Sequence, residues 1–133
     1  MSRGSYLSRT DVSSNILLVL LFMVKKEVFE WIRTGQKTIE LRRGKAMKGD
    51  VAVFQCGRSI LRRKIIKKEE GTLTEVLRQG NYKKIIPIAN SLEKAIDYLK
   101  KLYGTTEGIF TAYFFDLCQL GEFDLRASTH NMF

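Results

Sequence analysis

The sequence predicts an α+β fold: a small, mixed, partly closed β-barrel of about five to six strands with two to three peripheral helices. Runs of β-branched and aromatic residues recur along the chain and are separated by glycine-containing turns. Helical patterns follow the first run and precede the last, so strands and helices do not alternate as they do in a doubly wound parallel sheet. The 133 residues are enough for one domain with its own core.

Composition divides the chain into three parts. Residues 1–14 are rich in serine, arginine and glycine without periodicity, which predicts a flexible leader. Residues 15–118 carry the periodic patterns of a folded domain. The pattern weakens in the tail, residues 119–133, which is expected either to stay loose or to add an edge strand.

The first apolar run, from Ile16 to Val24, predicts a strand that is buried on both faces. Its nine residues fall short of the about 20 that a membrane-spanning helix needs. Lys25 follows the run directly, and no small-residue cleavage site is present. We therefore expect a cytoplasmic protein without a membrane partner. The next ten residues predict an amphipathic helix that ends at Gly35. Trp31 on this helix is predicted to pack in the core, and stacking on a nucleobase is the alternative.

The strand predicted over residues 37–43 concentrates polar groups on one face. Successive side chains of a strand point to opposite faces, so Ile39 and Leu41 enter a core. The opposite face and the start of the strand carry the candidate ligand-binding residues, which are Lys37, Thr38, Glu40 and Arg42. The first three of these are also the catalytic candidates.

These side chains suit a nucleotide ligand. Arg42 presents a planar fork to a phosphate or a base edge, and Lys37 supplies a point charge. Glu40 can accept hydrogen bonds from an exocyclic amine, as carboxylates do with cytosine. Held between two cations, Glu40 is expected to be ionised, so the site offers no free general base. The alternative interpretation is a plain ion pair with a neighbouring strand.

Capping and turn residues delimit the remaining elements. The paired residues Ile65 and Ile66 inside a charged strand predict a β-bulge. The predicted elements are a strand from Val51 to Cys56, a long strand from Ile60 to Glu70, a short helix opened by the capping box Thr72–Glu75, a helix from Ser91 to Tyr103 with Leu102 in its buried stripe, and a closing strand from Ile109 to Cys118.

The net charge of +9 points to a polyanionic partner. Residues 1–14 carry +1 and residues 119–133 carry −1, so the whole surplus lies in residues 15–118. A basic body attracts nucleic acid most often, although a merely soluble cationic surface is the alternative. Residues 62–64 cannot all share one strand face. The candidates for tracking a phosphate backbone are Arg43, Lys45, Lys48, Arg58, Arg62, Arg63, Lys64, Lys67 and Lys68.

The cysteines and the histidine do not indicate a metal site or a cofactor. Cys56 and Cys118 lie far apart, and His130 is the one histidine of the chain. A structural zinc site needs about four such ligands at close spacing. We expect both cysteines to be buried free thiols.

The order of motifs resembles the ASCH domain (activating-signal-cointegrator homology) of the PUA-like superfamily. The similarity rests on Gly-x-Lys-Thr-x-Glu-x-Arg in residues 35–42, on Lys-Gly-Asp in residues 48–50, and on the later helix and closing aromatic strand. It covers roughly residues 17–117. The resemblance implies a PUA-like barrel with a cleft lined by Lys37, Glu40 and Arg42, and a role in binding RNA in translation or RNA processing.

Two enzymatic branches of that family leave catalysis open. The acetylcytidine amidohydrolases use a lysine, a threonine three residues later and a distant glutamate. Lys37 matches the lysine, but Glu40 occupies the threonine position, and residues 88–90 contain no glutamate. Other members are described as ribonucleases that use a lysine and hydroxyl residues, which makes Lys37, Thr38 and Tyr113 candidates here.

Three functional hypotheses follow from the sequence. The first is a module that binds RNA or a nucleotide without catalysis. The second is a small hydrolase that acts on a modified nucleoside or RNA. The third is a protein-interaction module of a translation or transcription complex.

Overall fold

The computed structural model describes residues 18–118, so the predicted leader and tail lie outside the described residues. The described part contains five strands and four helices. In chain order they are β1 (Val19–Met23), α1 (Lys26–Arg33), β2 (Ile39–Arg43), β3 (Val51–Cys56), β4 (Ser59–Thr72), α2 (Leu73–Val76), α3 (Tyr82–Ile85), α4 (Leu92–Tyr103) and β5 (Ile109–Phe115).

The strands form one mixed sheet in the order β1–β3–β4–β5–β2. β1 pairs with β3 in parallel, and the other three pairs are antiparallel. β4 serves two neighbours, because its first half pairs with β3 and its second half with β5. The register shifts between Ile65 and Lys67, which confirms the predicted bulge. The sheet curls into a half-barrel, which confirms the α+β fold class.

β1 and β2 form the two edges of the curled sheet, and Arg42 bridges them. Its Nη2 donates a hydrogen bond to the carbonyl oxygen of Met23, at 3.1 Å. The seam between the two edge strands is therefore held by a side chain and not by a strand ladder.

Apolar side chains pack on both faces of the sheet. On one face, Phe22, Phe54 and Tyr113 pack against Phe29 and Ile32 of α1. On the other face, β2 and β5 are covered by α2, α3 and α4. This second cluster includes Ile39, Leu41, Leu73, Val76, Ile85, Leu99, Phe110 and Ala112. Ile39 and Leu41 thus enter a core as the strand alternation predicted.

The helix boundaries follow the capping signals of the sequence. Gly35 adopts φ +85° just after α1, a left-handed conformation that favours glycine. The N–H of Thr72 donates to Glu75 at 2.8 Å, as a capping box requires. Ser91 Oγ accepts from the N–H of Lys94 at 3.2 Å, and Gly104 (φ +78°) ends α4. Between α2 and Ser91 the structure contains a further helix, α3, which is not among the elements predicted from the sequence.

The prediction that the first strand is buried on both faces is wrong. Leu20 and Phe22 are buried, whereas Val19, Leu21 and Met23 are each more than half exposed. β1 is an edge strand, and no described element covers its outer face. An unbroken apolar run indicated two-sided burial, but only one side faces the core.

Two further predictions of burial are wrong. Leu102 is half exposed because it lies at the edge of a surface cavity instead of under the sheet. Cys118 is exposed because it follows the end of β5, and Cys56 is partly buried. Both cysteines are free, as expected. None of the helices within residues 18–118 is long and apolar enough to cross a membrane.

Candidate nucleotide pocket

A cavity of about 400 Å³ opens at the seam between β1 and β2, under α1 and α4. This size lies in the range of small-molecule sites. Apolar and aromatic side chains supply most of its lining, and its buried charged groups are Lys37 and Glu40. Its lining consists of Met23, Val24, Lys25, Val28, Trp31, Lys37, Glu40, Leu41, Arg42, Ile85, Ile86, Tyr98, Leu99, Leu102 and Tyr103.

We call Lys37, Glu40 and Arg42 the charged floor of this pocket. Lys37 Nζ lies 3.3 Å from Glu40 Oε1, and Arg42 Nε lies 2.5 Å from Glu40 Oε2. Only 4% of Lys37 and 5% of Glu40 are exposed. The ion-pair interpretation and the pocket interpretation therefore do not exclude each other, since the three groups pair among themselves and also line the cavity.

Backbone contacts set the position of the charged floor. The N–H of Lys37 donates to the Trp31 carbonyl at 3.0 Å, which ties the approach to β2 to the end of α1. Lys37 Nζ donates to the carbonyl of Ile85 at 2.6 Å, which ties the floor to α3. Arg42 follows Glu40 by two residues, so both lie on one face of β2. The Arg42 guanidinium also lies 4.9 Å from the ring centre of Phe22, a cation–π contact.

Burial governs the electrostatics of the pocket. Removal from water lowers the pKa of Lys37, the nearby Glu40 carboxylate opposes this effect, and Arg42 adds to it. Burial raises the pKa of Tyr103 to about 12. Its hydroxyl donates to the carbonyl of Leu41 at 2.7 Å, which is a structural bond.

The aromatic walls come from two helices. The rings of Trp31 on α1 and Tyr98 on α4 are tilted by 51°, with centres 6.4 Å apart. Trp31 is 8% exposed, so the prediction of a core residue is correct, yet its surface also faces the cavity. Sequence reasoning missed Tyr98. The available signal was an aromatic residue at the border of the apolar stripe of α4, four residues before Leu102.

No protein-family model and no curated protein matches the chain. Solved structures do match. A crystal structure of the hypothetical protein PH0355 is 16% identical, with a TM-score of 0.63 over 74% of this chain and 98% of that chain. A crystal structure of an ASCH protein from Zymomonas mobilis is 17% identical, with a TM-score of 0.53 over 74% of this chain and 66% of that chain. The chain has an ASCH-like fold.

A solution structure of the protein PF0455 from Pyrococcus furiosus is also similar. It is 20% identical, with a TM-score of 0.55, over 74% of this chain and 96% of that chain. At these identities the likeness concerns the fold alone. It agrees with the resemblance read from residues 17–117.

Within the ASCH-like fold, the two predicted hydroxyl candidates do not line the cavity. Thr38 is partly buried and is not a lining residue, and its backbone N–H donates to the carbonyl of Lys84 at 3.0 Å. Tyr113 is 1% exposed, and its hydroxyl accepts from the N–H of Met47 at 3.0 Å. The structure therefore brings Lys37 and Glu40 together at the pocket, without Thr38 or Tyr113.

The candidate phosphate-binding residues do not share one surface. Arg63 is 3% exposed and points inward, where its Nη2 donates to the carbonyl of Ile32 at 3.4 Å. The strand alternation places Arg62 and Lys64 on the opposite face of β4 from Arg63. The others lie on several elements: Arg43 at the end of β2, Lys45 and Lys48 in the loop before β3, Arg58 in the turn before β4, and Lys67 and Lys68 beyond the bulge.

Several of these cations have local partners. Lys67 Nζ lies 3.0 Å from Glu69 Oε2, and Lys68 Nζ donates to the carbonyl of Met47 at 2.6 Å. In contrast, Lys25 is exposed and lines the cavity, although the sequence did not single it out. No group of His, Cys, Asp and Glu side chains within residues 18–118 could hold a metal ion.

Proposed function

We propose that this ASCH-like domain binds a nucleotide or single-stranded RNA, with one base in the pocket. The observation that carries the proposal is a buried charged floor beneath aromatic walls. A nucleobase has two apolar faces and an edge of hydrogen-bond donors and acceptors. Proteins that bind single strands commonly stack the faces on aromatic rings and bond the edge to polar groups. Trp31 and Tyr98 suit the first contact, and the charged floor suits the second.

Charge at the pocket suits the phosphate of the same ligand. Lys25 is exposed, and the Arg42 side chain is 29% exposed, so both are accessible at the cavity. The surplus of +9 attracts a polyanion from a distance and makes the affinity depend on salt. Glu40 is already held by two cations, so binding accounts for the site without a general base.

The position of Trp31 provides a direct test, because it is the one tryptophan of the chain and it lines the cavity. Titration with a short single-stranded RNA should change its fluorescence and give a salt-dependent affinity. Lys37→Met should weaken binding by about tenfold or more, since buried polar contacts discriminate strongly. Lys94→Met removes the same charge from an exposed position on α4 and should leave the affinity nearly unchanged.

Two results would overturn the proposal. One is a tryptophan signal that does not respond to RNA or to any nucleotide. The other is an equal loss of affinity in Lys37→Met and Lys94→Met, which would indicate non-specific attraction by total charge.

A hydrolase is the second candidate, and the environment of Lys37 favours it. Burial lowers the pKa of this lysine at the surface of a cavity, and such lysines serve as proton shuttles or activate nucleophiles. Mass spectrometry of acylated nucleosides and RNA incubated with the protein tests this reading, with Lys37→Ala as the control. Substrates that stay unchanged would exclude it and leave the binding proposal intact.

A further inference from the structure

The charged floor presents one hydrogen-bond acceptor between two donors. Glu40 is its carboxylate, Lys37 Nζ lies beside Oε1, and Arg42 Nε lies beside Oε2. All three residues line the cavity. The order across the floor is therefore donor, acceptor, donor.

Each of these groups has bonding capacity left for a ligand. A carboxylate offers about four lone-pair sites, and Glu40 gives one to each cation. The ammonium of Lys37 has three hydrogens and contacts the carbonyl of Ile85 and Glu40. Of the five N–H donors of Arg42, the contacts to Glu40 and Met23 use two.

We propose that the pocket selects an imide edge, the carbonyl, N–H and carbonyl of a uracil-type base; this rests on the proposed nucleotide binding. The ring N–H of uracil donates to Glu40, and its two carbonyl oxygens accept from Lys37 Nζ and from an Nη group of Arg42, since the single hydrogen of Arg42 Nε already bonds Glu40. The base thereby satisfies all three groups of the floor at once. The remaining nucleotide extends toward Lys25 at the exposed side of the cavity.

The other bases fit this order less well. Cytosine and adenine present an unprotonated ring nitrogen, an acceptor, at the centre of the edge that pairs. That nitrogen would face the Glu40 carboxylate, and two acceptors without a hydrogen repel each other. Guanine matches the first two positions, but its exocyclic amine is a donor where Arg42 also donates. Cytosine can reach Glu40 through its amine alone, which leaves part of the floor without a ligand bond.

Burial makes this discrimination strong. Lys37 and Glu40 are almost fully buried, so a polar atom that is brought to them without a partner loses its bonds to water. Sites that bond a substrate N–H or O–H in this way reject analogues that lack the group much more strongly than apolar pockets reject a changed shape.

The test compares four nucleoside monophosphates on the wild-type protein by Trp31 fluorescence and calorimetry. They carry uracil, N3-methyluracil, cytosine and guanine. We expect the uracil nucleotide to bind at least about tenfold more tightly than each of the others. The N3-methyluracil nucleotide tests the proposed bond from the ring N–H to Glu40 most directly, because methylation removes only the central donor and adds one methyl group.

Glu40→Gln adds a second arm, since the amide replaces one acceptor by a donor. The preference for uracil over N3-methyluracil should fall to near unity in this variant. Glu30→Gln is the matched control, because Glu30 pairs with Arg33 on the exposed side of α1 and should leave the preference intact. If Glu40→Gln does not fold, the methylated nucleotide on the wild-type protein still decides.

The outcomes separate this inference from the function on which it rests. Equal or tighter binding of the cytosine, guanine or methylated nucleotide overturns the imide edge while a nucleotide pocket stands. Absence of binding by all four nucleotides and by RNA overturns both.

Discussion

The charged floor brings its charged side chains together at one cavity, whereas the basic stretch of β4, residues 62–68, distributes its cations over different faces. Lys37, Glu40 and Arg42 converge on one cavity, with 3.3 Å and 2.5 Å between paired atoms. Residues 62–68 contain five cations in seven positions, yet they point to different faces and several have local partners. Spacing by two along β2 puts Glu40 and Arg42 on one face, whereas consecutive positions disperse side chains. Lys37 precedes β2 and is placed beside them by its bonds to the carbonyls of Trp31 and Ile85. Whether charged side chains converge on one site therefore depends more on their positions along the chain than on how many of them a segment contains.

Burial separates the two regions further. Lys37 and Glu40 lie where little water screens them, so their contacts affect the free energy of unfolding strongly. In the β4 stretch Lys64 and Lys67 are exposed, and salt screens exposed charges, so these two contribute mainly long-range attraction. If this contrast is correct, substitutions in the charged floor should change the free energy of unfolding, whereas substitutions of exposed cations should change mainly the salt dependence of binding.

The largest effect is expected for Glu40→Ala. Lys37 and Arg42 would then face each other without the carboxylate between them, one of them fully buried. Breaking a buried pair in this way costs about 3–5 kcal/mol of the free energy of unfolding, measured by urea denaturation. In the control Glu30→Ala, the lost pair with Arg33 is about half exposed, so the midpoint of urea denaturation should hardly change. Equal changes of the midpoint in the two variants would mean that the ion pairs of the floor stabilise the protein no more than an exposed ion pair does.

A smaller effect tests the dispersal of charge within β4 itself. Arg63→Ala should lower the free energy of unfolding by about 1–3 kcal/mol, because a buried side chain that bonds the Ile32 carbonyl is lost. Lys64, the neighbour of Arg63, is exposed, and Lys64→Ala should change the free energy of unfolding by about 0.5 kcal/mol or less. Similar values for the two variants would contradict the inward orientation of Arg63.

The pH dependence of stability tests the burial of Lys37. Its pKa is lowered below the ordinary value of 10.5, so the folded protein loses this proton before the unfolded chain does. Lys37 therefore makes stability rise with pH between its lowered pKa and 10.5. In Lys37→Met this contribution should be missing when urea midpoints at pH 8 and pH 10 are compared.

In the wild-type protein and in Lys37→Met alike, Tyr103 changes the stability with pH in the direction opposite to Lys37. Burial raises its pKa from 10.0 to about 12, so its contribution to stability falls as pH rises above 10. The comparison of the wild-type protein with Lys37→Met removes this common effect. Parallel pH profiles would show that Lys37 is solvated.

The smallest effect concerns salt. If single-stranded RNA engages five exposed cations, the slope of log affinity against log salt should be about −3.5, since each neutralised phosphate adds about 0.7. Replacing one engaged cation, for example Lys45→Gln, should reduce the slope by about 0.7, and the buried Arg63→Gln should not change it. Binding isotherms at four salt concentrations measure both slopes. A reduction by Arg63→Gln would place that residue at the RNA surface.

The residues of the pocket differ in how far the sequence predicts them, because some lie on β2 and others on distant elements. The alternation in residues 37–43 was enough to place Glu40 and Arg42 on one face and Ile39 in a core, because strand period is a local property. Tyr98 and Lys25 were missed. They lie on different elements from the floor, and only the curl of the sheet brings these elements to the same cavity.

The amino-acid sequence by itself determined the strands, the capped helices, the bulge and the pattern of residues 35–42. Each depends on neighbours within a few residues, and steric and hydrogen-bonding preferences act at that range. The tertiary structure decided which face of β1 is covered, which cations of β4 reach the surface, and that the paired charges of β2 line an open cavity. These outcomes depend on how distant elements pack, and packing depends on the whole chain.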